Sequence, residues 1–358
     1  MSAAGRHGNL ARVKRDESID LRAHSRREVP FVVELCLEAA ARLGWNTEVL
    51  DPAFGYLWEV ELPGGRRRAM VGAKTPINDA AAAQLALDKH YAGVVLRRAG
   101  FGVPAGVRAL SPKHFADTRY AKDVGLDPAL ELARAKGFPL IVKPNRLSHG
   151  RFVRLVETEK ELRRGIEAIW GLDRVALAQT VVDGRELRVD VLDGELLAAY
   201  ERRPFTVVGD GERDVATLLR SIDSRFESFD PKTLAKRLGE TREARSSGGG
   251  TGLAQRVPAQ GEKVTLDEPI LNLNRLCTAE LLPQLPDRWR DFAVRAGQAL
   301  GLRLAGVDLR VRSLAADPSE ATVIEVNATP LLAQLAHMGH RELAVSGQAR
   351  ILEALLRS

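Results

Sequence analysis

The stretch 302–327, LRLAGVDLRVRSLAADPSEATVIEVN, contains two runs in which apolar and polar side chains alternate. Alternation with a period of two predicts two β-strands, each with one apolar and one polar face. If residues 315–320 form the turn, Asp308 lies roughly opposite Asn327 and within reach of Glu325. Two carboxylates and an amide oxygen are hard ligands of the kind that Mg2+ prefers. The pattern therefore indicates a magnesium site on the polar face of a hairpin.

The spacing of these side chains leaves a second interpretation open. The same polar face carries Arg310 and Arg312, and a solvated hairpin with balanced charges would show the same alternation. The next residues, 327–331, favour a binding site, because Pro330 suits the first turn of a helix whose amino end attracts anions. A plain helix start is the alternative interpretation of that segment.

A short apolar run at 138–144, FPLIVKP, predicts a buried strand that presents Lys143 at its end. The loop that follows, 145–151, is suited to wrap phosphate oxygens with backbone amides, and Gly150 would let the backbone approach closely. Lys143 would add a compact positive charge. A solvated lysine at a strand end is the alternative.

Weaker phosphate ligands accompany this loop. Lys89 lies on a pattern that predicts one long helix over 78–99 and would supply a second charge, although a surface helix lysine is the ordinary alternative. Ser148 and His149 are loop positions that would contact phosphate. His149 ranks below Lys143, and a loop residue without a binding role is the alternative for it.

The segment 176–182, ALAQTVV, is an apolar strand against which an adenine could lie and bond to exposed backbone. Glu186, just beyond it, is the acid that would hold ribose hydroxyls. Arg188 is two residues further on the same strand face and would reach a phosphate or an acyl-phosphate. A strand–turn–strand with solvated Glu and Arg is the alternative.

Helix and strand patterns along the chain predict four segments. They are a flexible tail at 1–20, an N-terminal α/β domain at 21–108, a small lid-like unit at 109–182 and a central sheet unit at 183–358. The glycine-rich stretch 245–252 is interpreted as a flexible loop, with a phosphate cradle as the alternative.

The composition is typical of a folded cytoplasmic protein. Of 358 residues, 45% are hydrophobic, yet no run is long and apolar enough to cross a bilayer, so no membrane partner is expected. The basic start lacks the apolar core of a secretory signal. Two distant cysteines provide no disulfide framework. The net charge of +6 fits a small anionic substrate such as ATP, and nucleic acid is not expected because no aromatic-interleaved basic stripe appears.

In chain order, these segments resemble the ATP-grasp superfamily. The chain is similar in particular to the ATP-grasp domain of cyanophycin synthetase and to the glutathione-synthetase module of bifunctional bacterial enzymes. The similarity spans roughly 71–336. The residues that carry it are KP at 143–144, HGR at 149–151, DGRELR at 183–188, VVGDG at 207–211, VPAQGE at 257–262 and VIEVNATP at 323–330.

The resemblance implies an α/β (α+β) protein with an ATP-grasp fold: an N-terminal α/β domain, a small lid domain and a central mixed or antiparallel sheet. The nucleotide would lie between the lid and the central sheet. The predicted ATP-binding residues are Lys89, Lys143, Ser148, His149, Gly150, Gln179, Thr180, Val181, Val182 and Glu186. Asp308, Glu325 and Asn327 would ligate one or two Mg2+ ions, or Mn2+. The predicted catalytic residues are Lys143, Arg188 and Arg310, and the predicted substrate-binding residues are Arg202, Arg203, Asn272 and Asn274.

The predicted activity is ADP-forming ligation of a carboxylate to an amine through an acyl-phosphate, with amino acids or peptides as substrates. The stretch 272–277 departs from the Ser/Thr- and Gly-rich stretch of such relatives, so the acceptor is expected to differ. A homodimer would be ordinary for such relatives, so the resemblance is compatible with a homodimer here. Two other functions stay open: an ATP-grasp phosphotransferase or nucleotide-binding protein without ligation, and a basic nucleic-acid-binding module.

Overall fold

The computed structural model contains helices and three antiparallel sheets. It describes residues 29–115, 121–147, 150, 152–222, 226, 230–232, 234, 250–266 and 277–357. The α-helices are α1 (Phe31–Arg42), α2 (Ala80–Leu87), α3 (Lys89–Arg98), α4 (Pro112–Phe115), α5 (Asp127–Lys136), α6 (Glu159–Trp170), α7 (Val215–Ile222), α8 (Gly250–Gln255), α9 (Asp287–Ala299), α10 (Ala333–His337) and α11 (Arg341–Glu353). The strands are β1 (Thr47–Val49), β2 (Leu57–Glu61), β3 (Arg67–Val71), β4 (Gly106–Leu110), β5 (Leu140–Pro144), β6 (Arg154–Val156), β7 (Val175–Thr180), β8 (Arg185–Leu192), β9 (Glu195–Val208), β10 (Lys263–Leu266), β11 (Cys277–Leu281), β12 (Leu304–Val311) and β13 (Thr322–Asn327). The predicted tail at 1–20 lies outside the described residues.

The N-terminal sheet, in the order β1-β2-β3, shares a core with α1 and with the C-terminal helix α11. The α1 residues Val33, Cys36 and Ala40 are buried at helical spacing. Trp58 of β2 is fully buried, and its Nε1 donates to the Gly72 carbonyl at 2.9 Å. Residues from both ends of the chain thus complete one core.

The long helix predicted over 78–99 is wrong, because the chain breaks into α2 and α3 at Asp88. Asp88 has extended backbone angles, and its side chain caps α3 by accepting from the Tyr91 amide at 3.0 Å. Aspartate favours such a cap over a helix interior, because its carboxylate satisfies the free amides of the first turn. The break places Lys89 at the first turn of a new helix.

The second sheet, here called the lid sheet, has the order β4-β7-β5-β6 and packs against α5 and α6. Leu162, Ile166 and Ile169 of α6 fill this core at helical spacing. Strand β4 was not predicted, and it pairs along its length with β7. The predicted boundaries at 108/109 and 182/183 stay predictions, and the first falls inside β4.

The third sheet, here called the central sheet, has the order β10-β9-β8-β12-β13, and β11 also pairs with β9. Its apolar face packs on α9, with Leu187, Val189, Val307 and Leu309 in the core. Side chains alternate along the paired strands, so their polar neighbours share the other face. That face carries Glu186, Arg188, Asp190, Asp308 and Arg310.

The hairpin β12–β13 forms with a register different from the prediction. Asp308 lies opposite Glu325, not Asn327, and Asn327 lies opposite Gly306. The register shifts after Asp308, where Leu309 pairs with Val323 and leaves Ile324 as an extra residue in β13. All three predicted ligands still share the polar face.

The helix start predicted at Pro330 is wrong. The next helix, α10, begins at Ala333 and has five residues, because residues 328–332 first make bends and a turn. None of the helices in the described ranges combines the length and apolar character that a bilayer crossing requires.

Candidate functional site

A cleft between the lid sheet and the central sheet gathers most of the predicted site residues. Those that line it are Lys89, Lys143, Gly150, Gln179, Thr180, Val182, Glu186, Asp308, Arg310 and Glu325. Apolar residues that were not predicted also line it, namely Pro104, Ile141, Pro144, Leu147, Val153 and Ile324. No spacing rule identifies these, because they meet only through the pairing of strands far apart in sequence.

Asp308 lies at the centre of the polar face and is held by two guanidinium groups. Its Oδ1 accepts from Arg202 Nη1 at 2.7 Å and from Arg188 Nη1 at 3.0 Å, and Arg188 Nη1 also lies 2.9 Å from Oδ2. Burial alone would raise the pKa of this carboxyl, but the two arginines outweigh it and hold the pKa below its ordinary value. Asp308 is therefore ionised at neutral pH.

Glu186 joins two arginines beside Asp308. Its Oε1 accepts from Arg202 Nη1 at 2.8 Å, and its Oε2 accepts from Arg310 Nη2 at 2.9 Å. Arg310 Nη1 also donates to the Gly184 carbonyl at 2.9 Å. Glu186, the predicted ribose ligand, thus has both oxygens engaged and still lines the cleft.

The donor set on β12 and β13 fits Mg2+. Among the described residues Glu325 has one ion pair, in which Lys89 Nζ lies 3.6 Å from its Oε1, so its oxygens can still take a cation. Asn327 Nδ2 donates to Asp308 Oδ2 at 3.2 Å, and a half-turn of this amide would present its oxygen instead. No group of three or more His, Cys, Asp or Glu in the described ranges is arranged to hold a metal, so a site here needs the Asn327 amide as third ligand.

Two lysines face these carboxylates from different elements. Lys143 is the fourth of the five residues of β5 and is 6% exposed. Burial, aided by Lys89, lowers the pKa of Lys143 to about 8, although Glu325 and Asp308 oppose the shift. Lys89 Nζ donates to the Leu147 carbonyl at 2.8 Å.

The start of α3 is tied to the end of β5 by two buried polar residues that were not predicted. Asn145 Oδ1 accepts from the His90 amide at 2.9 Å, and Asp88 Oδ2 accepts from Arg146 Nη2 at 3.2 Å. These contacts bring Lys89 and Lys143 to one cleft. The signal that could have identified Asp88 is its residue type, because a helix cap is a common place for aspartate.

Arg188, predicted to be catalytic, lies beneath the cleft and does not line it. Its side chain is 6% exposed, and its Nε donates to Asp190 Oδ1 at 2.5 Å. Burial opposes its charge, but Asp190 and Asp308 outweigh burial and raise the pKa of the guanidinium. Burial raises the pKa of Asp190 in spite of Arg188. Asp190 was missed, although a position two residues after Arg188 in a strand shares its face.

The structure brings Arg202 to the site but not Arg203. Arg202 is buried, and its Nε has no hydrogen-bond partner among the described residues. Arg203 is the next residue of β9 and points to the opposite face. It is half-exposed there and pairs with Glu201 at 2.8 Å and with Glu280.

The predicted adenine segment continues from β7 into the cleft. The backbone of β7 is paired on both sides, and Thr180 N donates to the Ala105 carbonyl at 2.8 Å. The backbone that an adenine could meet therefore lies beyond Thr180. Val182 lines the cleft and Val181 does not. Four predicted residues lie outside the described ranges, namely Ser148, His149, Asn272 and Asn274.

Comparisons with known proteins find relatives by sequence. The chain is 23% identical over 318 residues to the glutathione biosynthesis bifunctional protein GshAB of Desulfotalea psychrophila. That alignment covers 86% of the chain and 39% of GshAB. It is 28% identical over 258 residues to the cyanophycin synthetase of a Nostoc species. That alignment covers 69% of the chain and 26% of the synthetase. No protein-family model matches the chain.

A solved structure, a bifunctional glutathione synthetase from Pasteurella multocida, matches with a TM-score of 0.52 at 21% identity, covering 84% of this chain and 40% of that one. The chain thus spans well under half the length of each relative. The resemblance that the motifs indicate is confirmed, and the chain has the fold of the ATP-grasp ligases.

Proposed function

We propose that this chain is an ATP-dependent carboxylate–amine ligase that releases ADP and phosphate. The observation that carries the proposal is the shared cleft, where Lys89 and Lys143 face Asp308 and Glu325 between two antiparallel sheets. Cations on one side and oxygen donors on the other suit a polyphosphate bridged to a divalent metal ion. The names of the relatives, which make glutathione and cyanophycin, support a ligase.

The proposed roles follow from what each side chain reaches. Lys89, Lys143 and the backbone near Gly150 bind phosphates, and residues from Gln179 to Val182 receive the adenine. Glu186 lies near enough to the cleft to meet ribose hydroxyls. Asp308, Glu325 and Asn327 would hold one or two Mg2+ ions, or Mn2+, which would neutralise phosphate charge and orient the γ-phosphate.

The reaction needs no protein nucleophile. A substrate carboxylate oxygen attacks the γ-phosphorus, the bond to the bridging oxygen breaks, and ADP leaves. The amine then attacks the acyl carbon, phosphate leaves, and the amine nitrogen gives up a proton. Lys143 and Arg310 stabilise the charge that develops on the transferred group, since both line the cleft.

We propose amino acids or short peptides as the carboxylate and amine substrates, because the relatives are named for peptide-like products. A homodimer is also a proposal. Arg202 lies beside Asp308 on the polar face and is the candidate for an anionic substrate group, whereas Arg203 faces away.

A substrate screen tests the proposed function. Purified protein would be incubated with ATP, Mg2+ and pairs of amino acids or short peptides, with phosphate release and the mass of the product as readouts. An amide product together with ADP supports ligation. ADP without an amide would favour a phosphotransferase, and salt-sensitive nucleic-acid binding unaffected by Asp308→Asn would favour the basic binding module.

A further inference from the structure

The contact between Arg188 and the Asp308 carboxylate depends on two further residues, Asp190 and Gly306, to which no role has been assigned. Arg188 reaches across from β8, and its Nη1 lies 3.0 and 2.9 Å from the two oxygens of Asp308. Its Nε is held by Asp190 at 2.5 Å. Arg188 is therefore bracketed by two carboxylates that point from different strands.

Between these carboxylates lies Gly306, which pairs with Asp190 across the two strands. A Cβ at residue 306 would lie 2.0 Å from Arg188 Nη2, 2.5 Å from its Cζ and 2.6 Å from Asp190 Oδ1. All three distances are too short for any real contact. The guanidinium thus occupies the space that a side chain at position 306 would need.

Backbone conformation does not require glycine at this position. Gly306 is absent from the described glycines with positive φ, and it lies in a regular strand where other residues are favourable. Glycine weakens a strand interior and often marks a close approach of another group. Here the approaching group is Arg188, and it cannot easily retreat because it and Asp190 are both buried.

We propose that Gly306 and Asp190 are positioning residues that hold Arg188 across β12, so that Arg188 fixes the orientation of Asp308 as a metal ligand. The inference rests on the proposed function, since it assumes that Asp308 binds the divalent ion. Groups that orient a metal ligand typically change metal affinity when they are lost. Arg188 then acts through Asp308 and needs no contact with the nucleotide.

Metal affinity tests this role directly. Mn2+ would be titrated into the full chain with one equivalent of AMP-PNP, and free Mn2+ would be followed by electron paramagnetic resonance. A parallel titration of AMP-PNP alone corrects for the Mn2+ that the nucleotide binds by itself. Gly306→Ala and Asp190→Asn should each weaken Mn2+ binding by about 10- to 100-fold. Asp190→Asn adds no non-hydrogen atom, so it keeps the test informative if Gly306→Ala folds poorly, which circular dichroism would show.

A double variant separates positioning from general damage. If Gly306 acts through Arg188, the variant R188K/G306A should bind Mn2+ as weakly as R188K and no more weakly. The matched control is Gly297→Ala, whose Cβ would press on Ala305 at 3.0 Å from the apolar side of β12. This control should bind Mn2+ like the wild type.

Two results would overturn the inference while leaving the proposed function standing. The first is a Gly306→Ala variant whose Mn2+ affinity is within about twofold of the wild type. The second is an R188K/G306A variant whose loss of Mn2+ affinity equals the product of the losses in the two single variants. A wild-type chain that binds no Mn2+ with the nucleotide would instead overturn the metal site and this inference together.

Discussion

The two sides of the cleft accommodate buried charge in different ways. On strands β8 and β12 of the central sheet, two carboxylates meet guanidinium groups: Glu186 pairs with Arg202 and Arg310, and Asp308 pairs with Arg188 and Arg202. On the lid sheet, Lys143 is buried and has no ion pair within the described ranges, and burial lowers its pKa to about 8 against the opposing effect of Glu325 and Asp308.

The contrast shows which parts of the site are complete before a ligand binds. The pairing on the central sheet fixes side chains by mutual contact, so its geometry is set by the protein alone. For Lys143 the part of the chain that the structure describes shows no such contact, so we expect its charge to be compensated further if an anion enters the cleft. We therefore expect that loss of a charge lowers the free energy of unfolding on the central sheet and raises it at Lys143.

The largest effect should follow loss of a proposed metal ligand. Glu325→Gln and Asp308→Asn should each lower Mg2+-dependent ADP formation by about 10³-fold or more, because the charge that holds the cation is removed. The measurement is a coupled ADP assay with the substrates found in the screen. Near-normal turnover in either variant would falsify the site assignment.

The same two variants should differ in stability. Asp308→Asn leaves Arg188 and Arg202 buried with less compensation, and we expect a loss of about 3 kcal/mol in the free energy of unfolding. Glu325 is partly exposed and 3.6 Å from Lys89, so Glu325→Gln should cost less than about 1 kcal/mol. Urea unfolding measures both values. Equal losses would contradict the view that the pairing on the central sheet holds the fold.

Removal of the Lys143 charge should have the reverse effect on stability. Lys143→Met should stabilise the ligand-free chain at pH 7 by about 2–3 kcal/mol, because a buried charge that Glu325 and Asp308 compensate only in part is replaced by an apolar group of similar length. The variant should weaken ATP binding by about 10- to 100-fold, as expected for a lost bond to a charged group.

Lys89→Met is the matched control for this variant. Lys89 already has the Leu147 carbonyl and Glu325 as partners, so its loss should weaken ATP binding without a gain in stability. A stability gain in the Lys89 variant that equals the gain in the Lys143 variant would remove the distinction between the two lysines.

A smaller effect should appear as pH dependence. Burial lowers the pKa of Lys143 from its ordinary value of 10.5 to about 8 in the folded chain. Between these values the unfolded chain binds more protons, so Lys143 makes stability rise as the pH increases from 8 to 10.5. The deprotonated lysine cannot pair with phosphate, so ATP affinity should fall by about tenfold between pH 7 and pH 9.

Calorimetry tests this coupling. At pH 8.5, ATP binding to the wild type should take up a proton, so that the measured enthalpy depends on the ionisation enthalpy of the buffer. Lys143→Met should abolish that dependence. Proton uptake that persists in the variant would assign the effect to another group.

The sequence was sufficient for the parts of the site that follow from local periodicity. The alternation in 302–327 predicted the hairpin and its polar face, and an apolar run predicted the strand that carries Lys143. The register was wrong because the bulge at Ile324 depends on how two strands pair, which alternation alone does not reveal.

Other features depend on contacts between distant segments. The helix break at Asp88 coincides with its contact to Arg146, and α11 enters the N-terminal core from the far end of the chain. Gly306 has no side chain whose chemistry could mark it in the sequence. Its proposed role follows only from the structure, in which the Arg188 guanidinium lies over it. Such residues cannot be found without the fold.

The smallest effect is expected at Arg312, which shares the alternation of β12 but not its environment. Arg310 is buried against Glu186, whereas the Arg312 side chain is 86% exposed because β12 ends at Val311. Arg312→Ala should change turnover by less than about twofold and stability by no more than about 0.5 kcal/mol, as for an ordinary surface position. Steady-state kinetics and urea unfolding check both, with Arg312→Lys as the charge-preserving control. A tenfold loss of turnover in Arg312→Ala but not in Arg312→Lys would show that a charge beyond the end of β12 contributes to turnover. The buried charges on the two sides of the cleft would then not be sufficient to explain the activity.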